Sequence, residues 1–191
     1  RDQATRALGQ LKSESAINAL INVLRTDKDE SVRSSAAWAL GEIRNPMAIR
    51  TLISAIKDSS SYVRYNAIRS LGVIGDKRAT RAVLSALEDR DPKIRIIATE
   101  VLVELNDSRA VRQLTQLLDD MEPAVRMAAA WALGKLRGGR ATLKLINALN
   151  DRKDFTISSS MRRKYLDSVA PILRRAYKDE VNEAHPFNSI M

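Results

Sequence analysis

The chain has 191 residues, enough for one sizeable core or for a short repeat array. It has no cysteine and one histidine, His185, which excludes disulfides and thiolate chemistry and argues against a histidine-based metal site. A net charge of +9 bears on partners (acidic proteins, nucleic acid, anionic membranes) rather than on fold. Aromatics make up only 4% of the chain, while Leu, Ala and Ile are plentiful. That mixture favours helices packed through small side chains over a sheet sandwich. No apolar run reaches the roughly 18 residues of a membrane span, and no signal peptide is visible. The expectation is a soluble chain of the cytoplasm, or of the plastid stroma if the source is algal.

The chain opens inside a repeat. Arg1, Ala4, Ala7, Leu8 and Gly9 match Arg33, Ala36, Ala39, Leu40 and Gly41 at a spacing of 32. With no initiator Met, the natural protein is expected to extend upstream. The clearest copies are VRSSAAWALGEI from Val32 and VRMAAAWALGKL from Val125, 93 residues apart, or three periods of 31. VRYNAIRSLGVI from Val63 and IRIIATEVLVEL from Ile94 fill the gap.

Each repeat reads as two helices. Val32, Ala36, Ala39 or Leu40, and Ile43 form the apolar stripe of the first. The second is AIRTLISAIKD from Ala48, recurring from Ala79, Ala110 and Ala141, with an earlier version from Ala16. Asp29, Ser60 and Asp91 are placed to cap first helices, and Asn45, Asp76 and Asp107 to cap second helices. Pro92 and Pro123 occupy first helical positions, where a missing N–H costs nothing. Gly9, Gly41, Gly72 and Gly134 recur late in the first helix, which predicts a close approach between the paired helices of a repeat.

Asp27, Asp58, Asp89 and Asp120 each precede an arginine by six residues: Arg33, Arg64, Arg95 and Arg126. Stacked repeats would bring these charges into a ladder that sets the register. The pattern stops after Asp151. The predicted organisation is a repeat array over 1–151 (1–29, 30–60, 61–91, 92–122 and 123–151). A loop over 152–160 and a capping helix with a tail over 161–191 follow.

The motif VRxxAAxALGxI followed by xxAIxxLIxALxD is carried by Val32, Arg33, Ala36, Ala37, Ala39, Leu40, Gly41 and Ile43, then Ala48, Leu52, Ile53 and Asp58. It resembles the HEAT-like repeats of the phycobilisome-lyase family over about residues 1–151. The resemblance implies an all-α, right-handed α-solenoid of about five two-helix repeats, with first helices on the convex face and second helices on the concave one. Such repeats occur in scaffolds, adaptors and assembly factors, and in paired E/F-type bilin lyase subunits.

Arg50, Arg81 and Arg112 share one position in successive second helices, beside Ser54, Ser85, Gln116 and Asn147. They form either a basic groove for an acidic protein or an ordinary solvated face. Arg78, Arg109 and Arg140 precede the second helices, where capping or inter-repeat pairing is expected. Trp38 and Trp131 are equivalent, with Arg6, Arg69 and Glu100 at the same position in other repeats. They are interface anchors or partly buried packing residues. Tyr62 and Tyr65 stack on a ligand or cover a turn.

No Gly-rich phosphate loop, Ser-His-Asp set or paired His-Glu cluster is present. The residues therefore point to a non-catalytic scaffold or assembly factor for an acidic partner, without a cofactor. The alternative, carried by the resemblance, is a lyase subunit or phycobilisome-handling factor. It would work with a second HEAT-like chain or a phycobiliprotein, and a bilin would be its ligand. Acids interleaved among the basic residues argue against nucleic acid.

Overall fold

The structure is a computed structural model, and residues 1–136 are described. The expected loop over 152–160, the capping helix over 161–191, Asn147 and Arg140 lie outside the described residues. Among the described residues all regular structure is helical. The chain divides into two compact units, Arg1–Asp107 and Ser108–Met191.

In the first unit the first helices are α1 (Asp2–Gln10), α3 (Glu30–Ile43), α5 (Ser61–Ile74) and α7 (Pro92–Glu104). The second helices are α2 (Ile17–Thr26), α4 (Ile49–Ala55) and α6 (Thr80–Ser85), each entered through one 3₁₀ turn. First helices pack side by side in the order α1, α3, α5, α7, and α2, α4 and α6 each pack on the first helix that follows. The result is two helical layers of stacked repeats, an α-solenoid arrangement.

The core lies between the layers. Leu20, Leu24, Val32, Leu40, Leu52, Val63, Ile68, Leu71, Val83, Ile94 and Leu102 are all buried. Within the first-helix layer the buried residues are mostly alanines, including Ala36, Ala37, Ala39, Ala67 and Ala98. A first helix is covered on three sides, so its buried face is wider than its apolar stripe. Ser34, Ser35 and Ser70 are buried there although they are polar, and the Ser70 hydroxyl donates to the Ala37 carbonyl at 2.8 Å. A satisfied hydroxyl is tolerated in such a seam.

The glycines correct the sequence-based expectation. They face the next repeat's first helix, not the paired second helix. A Cβ on Gly41 would lie 2.9 Å from Ser70 Cα, and one on Gly9 2.8 Å from Ala39 Cα. Gly72 similarly faces Val101 and Glu104.

The turn from first to second helix passes through one left-handed residue in every repeat of this unit: Lys12 (φ 48°), Arg44 (57°), Gly75 (74°) and Asn106 (48°). This residue ends the first helix, and the entry to the next layer follows at once. Asp29 and Asp91 cap α3 and α7 through the amides of Ser31 and Lys93, and Asn45 and Asp76 cap the second-helix entries. Ser60 occupies the N-cap of α5, but its side chain makes no capping bond. Its own amide is taken by Asp58 instead, at 2.9 Å.

In the second unit, α8 (Val111–Gln116) and α9 (Pro123–Lys135) pack together around Leu114, Leu118, Val125, Ala129 and Leu133, all buried. No helix among the described residues is long and apolar enough to cross a membrane.

Candidate functional site

The arginines fall into two groups with different surroundings. Arg33 and Arg64 are buried or nearly so and engaged. Arg33 Nε and Nη2 both donate to the Asp58 carboxylate at 2.9 Å, and Nη1 donates to the carbonyls of Asp27 (2.9 Å) and Lys28 (3.2 Å). Arg64 repeats this with Asp89, at 2.7 and 2.9 Å, and with the carbonyls of Asp58 and Ser59, both at 3.1 Å. The carboxylate partner is thus the Asp 25 residues ahead, while the Asp six residues behind offers its carbonyl. In the same way Arg95 donates to the Asp89 carbonyl at 2.8 Å, and in the second unit Arg126 donates to the Asp120 carbonyl at 2.9 Å. In the first repeat Arg1 lies 3.0 Å from Asp27.

Side-chain exposures of 14% and 15% for Arg33–Asp58, and 6% and 12% for Arg64–Asp89, set these apart from surface pairs. Burial by itself would raise the Asp58 and Asp89 carboxyls. The hydrogen bonds from the guanidinium and from the amides of Ser60 and Asp91 outweigh it, so both are held below the ordinary carboxylate value. Arg33 is correspondingly raised by the Asp58 bonds, against a smaller opposing effect of burial. These groups hold successive repeats in register with four of the five N–H donors of each guanidinium.

Arg50 on α4 and Arg81 on α6 are the opposite case. The inward side of these helices is fixed by Ile49, Leu52 and Ala55, and by Thr80 and Val83. Arg50 and Arg81 therefore project outward and are exposed, as are Ser54 and Ser85 one turn on. Among the described residues neither arginine meets a carboxylate or another acceptor. Ser85 turns its hydroxyl back to the Ala82 carbonyl at 2.7 Å. On α2 the equivalent positions are Asn18 and Asn22, both exposed. Sequence reading passed over them because the column was defined by its arginines. Arg25 and Lys57 add exposed positive charge at the ends of α2 and α4. In the second unit Arg112 and Gln116 are exposed on α8.

Arg78 is tied to Asp76, with Nη2 to Oδ2 at 2.7 Å, and lies beside the cap it reinforces. Trp38 on α3 and Trp131 on α9 are half-buried, and Tyr62 and Tyr65 are exposed along α5. Among the described residues no group of three or more His, Asp or Glu side chains is gathered as metal ligands would be.

HEAT repeats match residues 1–49, 17–88 and 80–163. No curated protein sequence matches the chain. Similar solved structures include YibA of E. coli, 20% identical over 93% of this chain and 69% of that one, with a TM-score of 0.68. The CpcE–CpcF complex of phycocyanin lyase from Nostoc sp. PCC7120 is 22% identical over 91% of this chain and 74% of that one, with a TM-score of 0.51. A designed armadillo repeat protein in complex with the peptide (KR)4 is 18% identical over 90% and 92%, with a TM-score of 0.57. Likeness at these identities concerns the fold, and the matched repeats cover most of the sequence. The chain belongs to the HEAT-repeat family.

Proposed function

We propose that the chain is a non-catalytic protein-binding scaffold whose second-helix face holds an acidic protein partner. The observation that carries this reading is the contrast among its arginines. Arg33 and Arg64 are engaged by the repeat architecture, whereas Arg50 and Arg81 sit outward at one repeat position with no partner among the described residues. Nothing in the packing needs a cation there. Ser54, Ser85, Asn18 and Asn22 supply short polar groups between the charges, suited to the amides of an extended segment. The designed armadillo protein of similar fold is in complex with a basic peptide. Here the outward charge is positive, and the partner that fits is acidic.

The test is charge reversal of Arg50, Arg81 and Arg112 to glutamate in the whole chain, followed by pull-down from the source cell. Helicity and melting should stay nearly unchanged, because no internal bond is lost. Partner capture should disappear, and wild-type capture should weaken with added salt as exposed charges are screened over about 10 Å. Equal capture by the triple variant removes this reading.

A second reading is a bilin lyase subunit or phycobilisome-handling factor, paired with another HEAT-like chain in cytoplasm or stroma. Its support is the repeat motif and the fold shared with the CpcE–CpcF complex. Co-expression with a bilin pathway and a phycobiliprotein should then give a visible absorbance band on the captured complex. A colourless, phycobiliprotein-free preparation rules it out.

A further inference from the structure

Every aromatic residue of the first unit lies outside its core. Trp38, Tyr62 and Tyr65 are the only aromatics between residues 1 and 107, and the buried set there is aliphatic. Large rings are usually drawn inside by the area they bury. Here Tyr62 is 70% exposed and Tyr65 36%, and Trp38 is half-buried on the outer side of the first-helix layer. The repeat does not call for an indole at Trp38, since the equivalent positions hold Arg6, Arg69 and Glu100.

A cavity of about 260 Å³ opens beside Trp38, lined also by Arg6, Gln10, Ser34, Ser35 and Asn66. Its walls are pinned by bonds that cross from helix to helix. Asn66 Nδ2 on α5 donates to Ser34 Oγ at 2.8 Å, and Ser34 Oγ donates to the Tyr62 carbonyl at 3.3 Å. Arg6 Nε on α1 donates to Ser35 Oγ at 3.1 Å and lies 3.3 Å from the Asp2 carboxylate, which also accepts from Ser35. A pocket held open this way loses little freedom when filled. Arg6 and Arg69 flank Trp38 in the repeat register, and both are exposed. Among the described residues Arg69 has no ionic partner.

We propose that this pocket is a second docking site, on the first-helix layer. It takes an extended segment of a partner protein carrying Glu or Asp beside an apolar residue. The carboxylate meets Arg69, the neighbour of Trp38 on α5 whose charge is not already met by an acid among the described residues, the apolar side chain lies on the Trp38 indole, and Tyr62 and Tyr65 continue the contact along α5. Trp, Tyr and Arg are the residues that carry most binding energy at protein interfaces. The pocket's size suits one side chain, below the range of most small-molecule sites. A protein segment is favoured over nucleic acid because the lining carries one guanidinium, already tied to Asp2, which is too little charge to hold a phosphate backbone. The hydroxyl and amide walls match peptide groups as well. The site uses none of Arg50, Arg81 or Arg112, so it stands or falls apart from the second-helix reading.

The experiment selects short random peptides on the whole chain and compares binding to Trp38→Glu and to Arg50→Glu/Arg81→Glu. Trp38→Glu is chosen because Glu100 shows that the fold accepts glutamate at this position, and Trp38→Ala serves as a second variant. In a Trp131→Phe background Trp38 is the sole tryptophan, and its emission reports the pocket directly. Enriched peptides should carry Asp or Glu next to an apolar residue and shift Trp38 emission. They should lose at least about tenfold in affinity to both Trp38 variants, while binding the Arg50→Glu/Arg81→Glu variant undiminished. The proposal is overturned if no enriched peptide depends on Trp38, or if the dependent ones lack a carboxylate. It is equally overturned if oligothymidylate shifts Trp38 emission where peptides do not.

Discussion

Arg33 and Arg64 each use all three guanidinium nitrogens, two on a bidentate carboxylate and the third on two carbonyls. Removing Asp58 would leave Arg33 half-buried with its charge uncompensated, a loss of about 3 kcal/mol. Asp58→Asn should therefore lower the melting temperature sharply. The pH dependence has a definite sign. The folded Asp58 and Asp89 carboxyls lie below the ordinary value, so their contribution is present above the unfolded value near 4. It fades as pH falls through the lower folded values. Melting should hold steady from neutral pH to about 5 and fall below about 4, with a shallower acid loss in Asp58→Asn. An acid profile identical to wild type would show that the pair carries no linkage.

Arg44 poses a backbone problem at the same scale. It is left-handed at φ 57°, a region that costs a residue with a Cβ about 1 kcal/mol, while the next repeat places Gly75 there. Arg44→Gly should stabilise by about 0.5 kcal/mol after the entropy of the freer unfolded chain is counted. Urea unfolding should show a midpoint shifted upward. A lower midpoint would mean that the Arg44 side chain contributes more than its backbone strain costs.

Among elements, the first-helix layer is the demanding one. Helices α1, α3, α5 and α7 approach closely enough that Gly9, Gly41 and Gly72 face the next helix with no room for a methyl group. Gly41→Ala would press on the Cα of Ser70 and on its side chain, which holds the bond to the Ala37 carbonyl. Overpacking of this kind costs about 1 to 3 kcal/mol. Thermal melting should report that loss, although alanine has the better helix propensity. A melt raised by Gly41→Ala would show that α3 and α5 can separate without penalty. Second helices are shorter and looser in composition. Their outward positions vary from Asn18 through Arg50 to Arg81, and among the described residues nothing packs on them.

For the molecule, the two layers of the first unit divide the labour of charge. Between the repeats, Arg33 with Asp58 and Arg64 with Asp89 pair opposite charges in shelter from solvent. On the second-helix face Arg25, Arg50, Lys57 and Arg81 outnumber Glu88, so the exposed excess of a +9 chain gathers partly there. The capture experiment belongs to this scale, since steering by such a face falls with ionic strength while the sheltered pairs respond much less. The first-helix face adds aromatic surface where the repeat would accept charge. Loss of peptide binding in Trp38→Glu with intact capture through Arg50 and Arg81 would mark an adaptor with two independent faces.

The amino-acid sequence by itself determined the helical class, the repeat period and most of the caps. Each of these rests on local chemistry: apolar spacing, an oxygen-bearing side chain before a helix, a proline at its first turn. It also marked Arg50, Arg81 and the Asp and Arg positions of the ladder, because a repeated residue at a repeated position is visible without coordinates. The tertiary structure alone decided which carboxylate each arginine meets and which neighbour each glycine faces. It also decided that Ser34, Ser35 and Ser70 are buried, that Ser60 leaves α5 without a side-chain cap, and that a pocket opens beside Trp38. Apart from the Ser60 cap, where Asp58 two residues back takes the amide, those outcomes depend on the next repeat's position in space, some 25 to 33 residues along the chain, and periodicity specifies the repeat of a position but not the side chain packed against it.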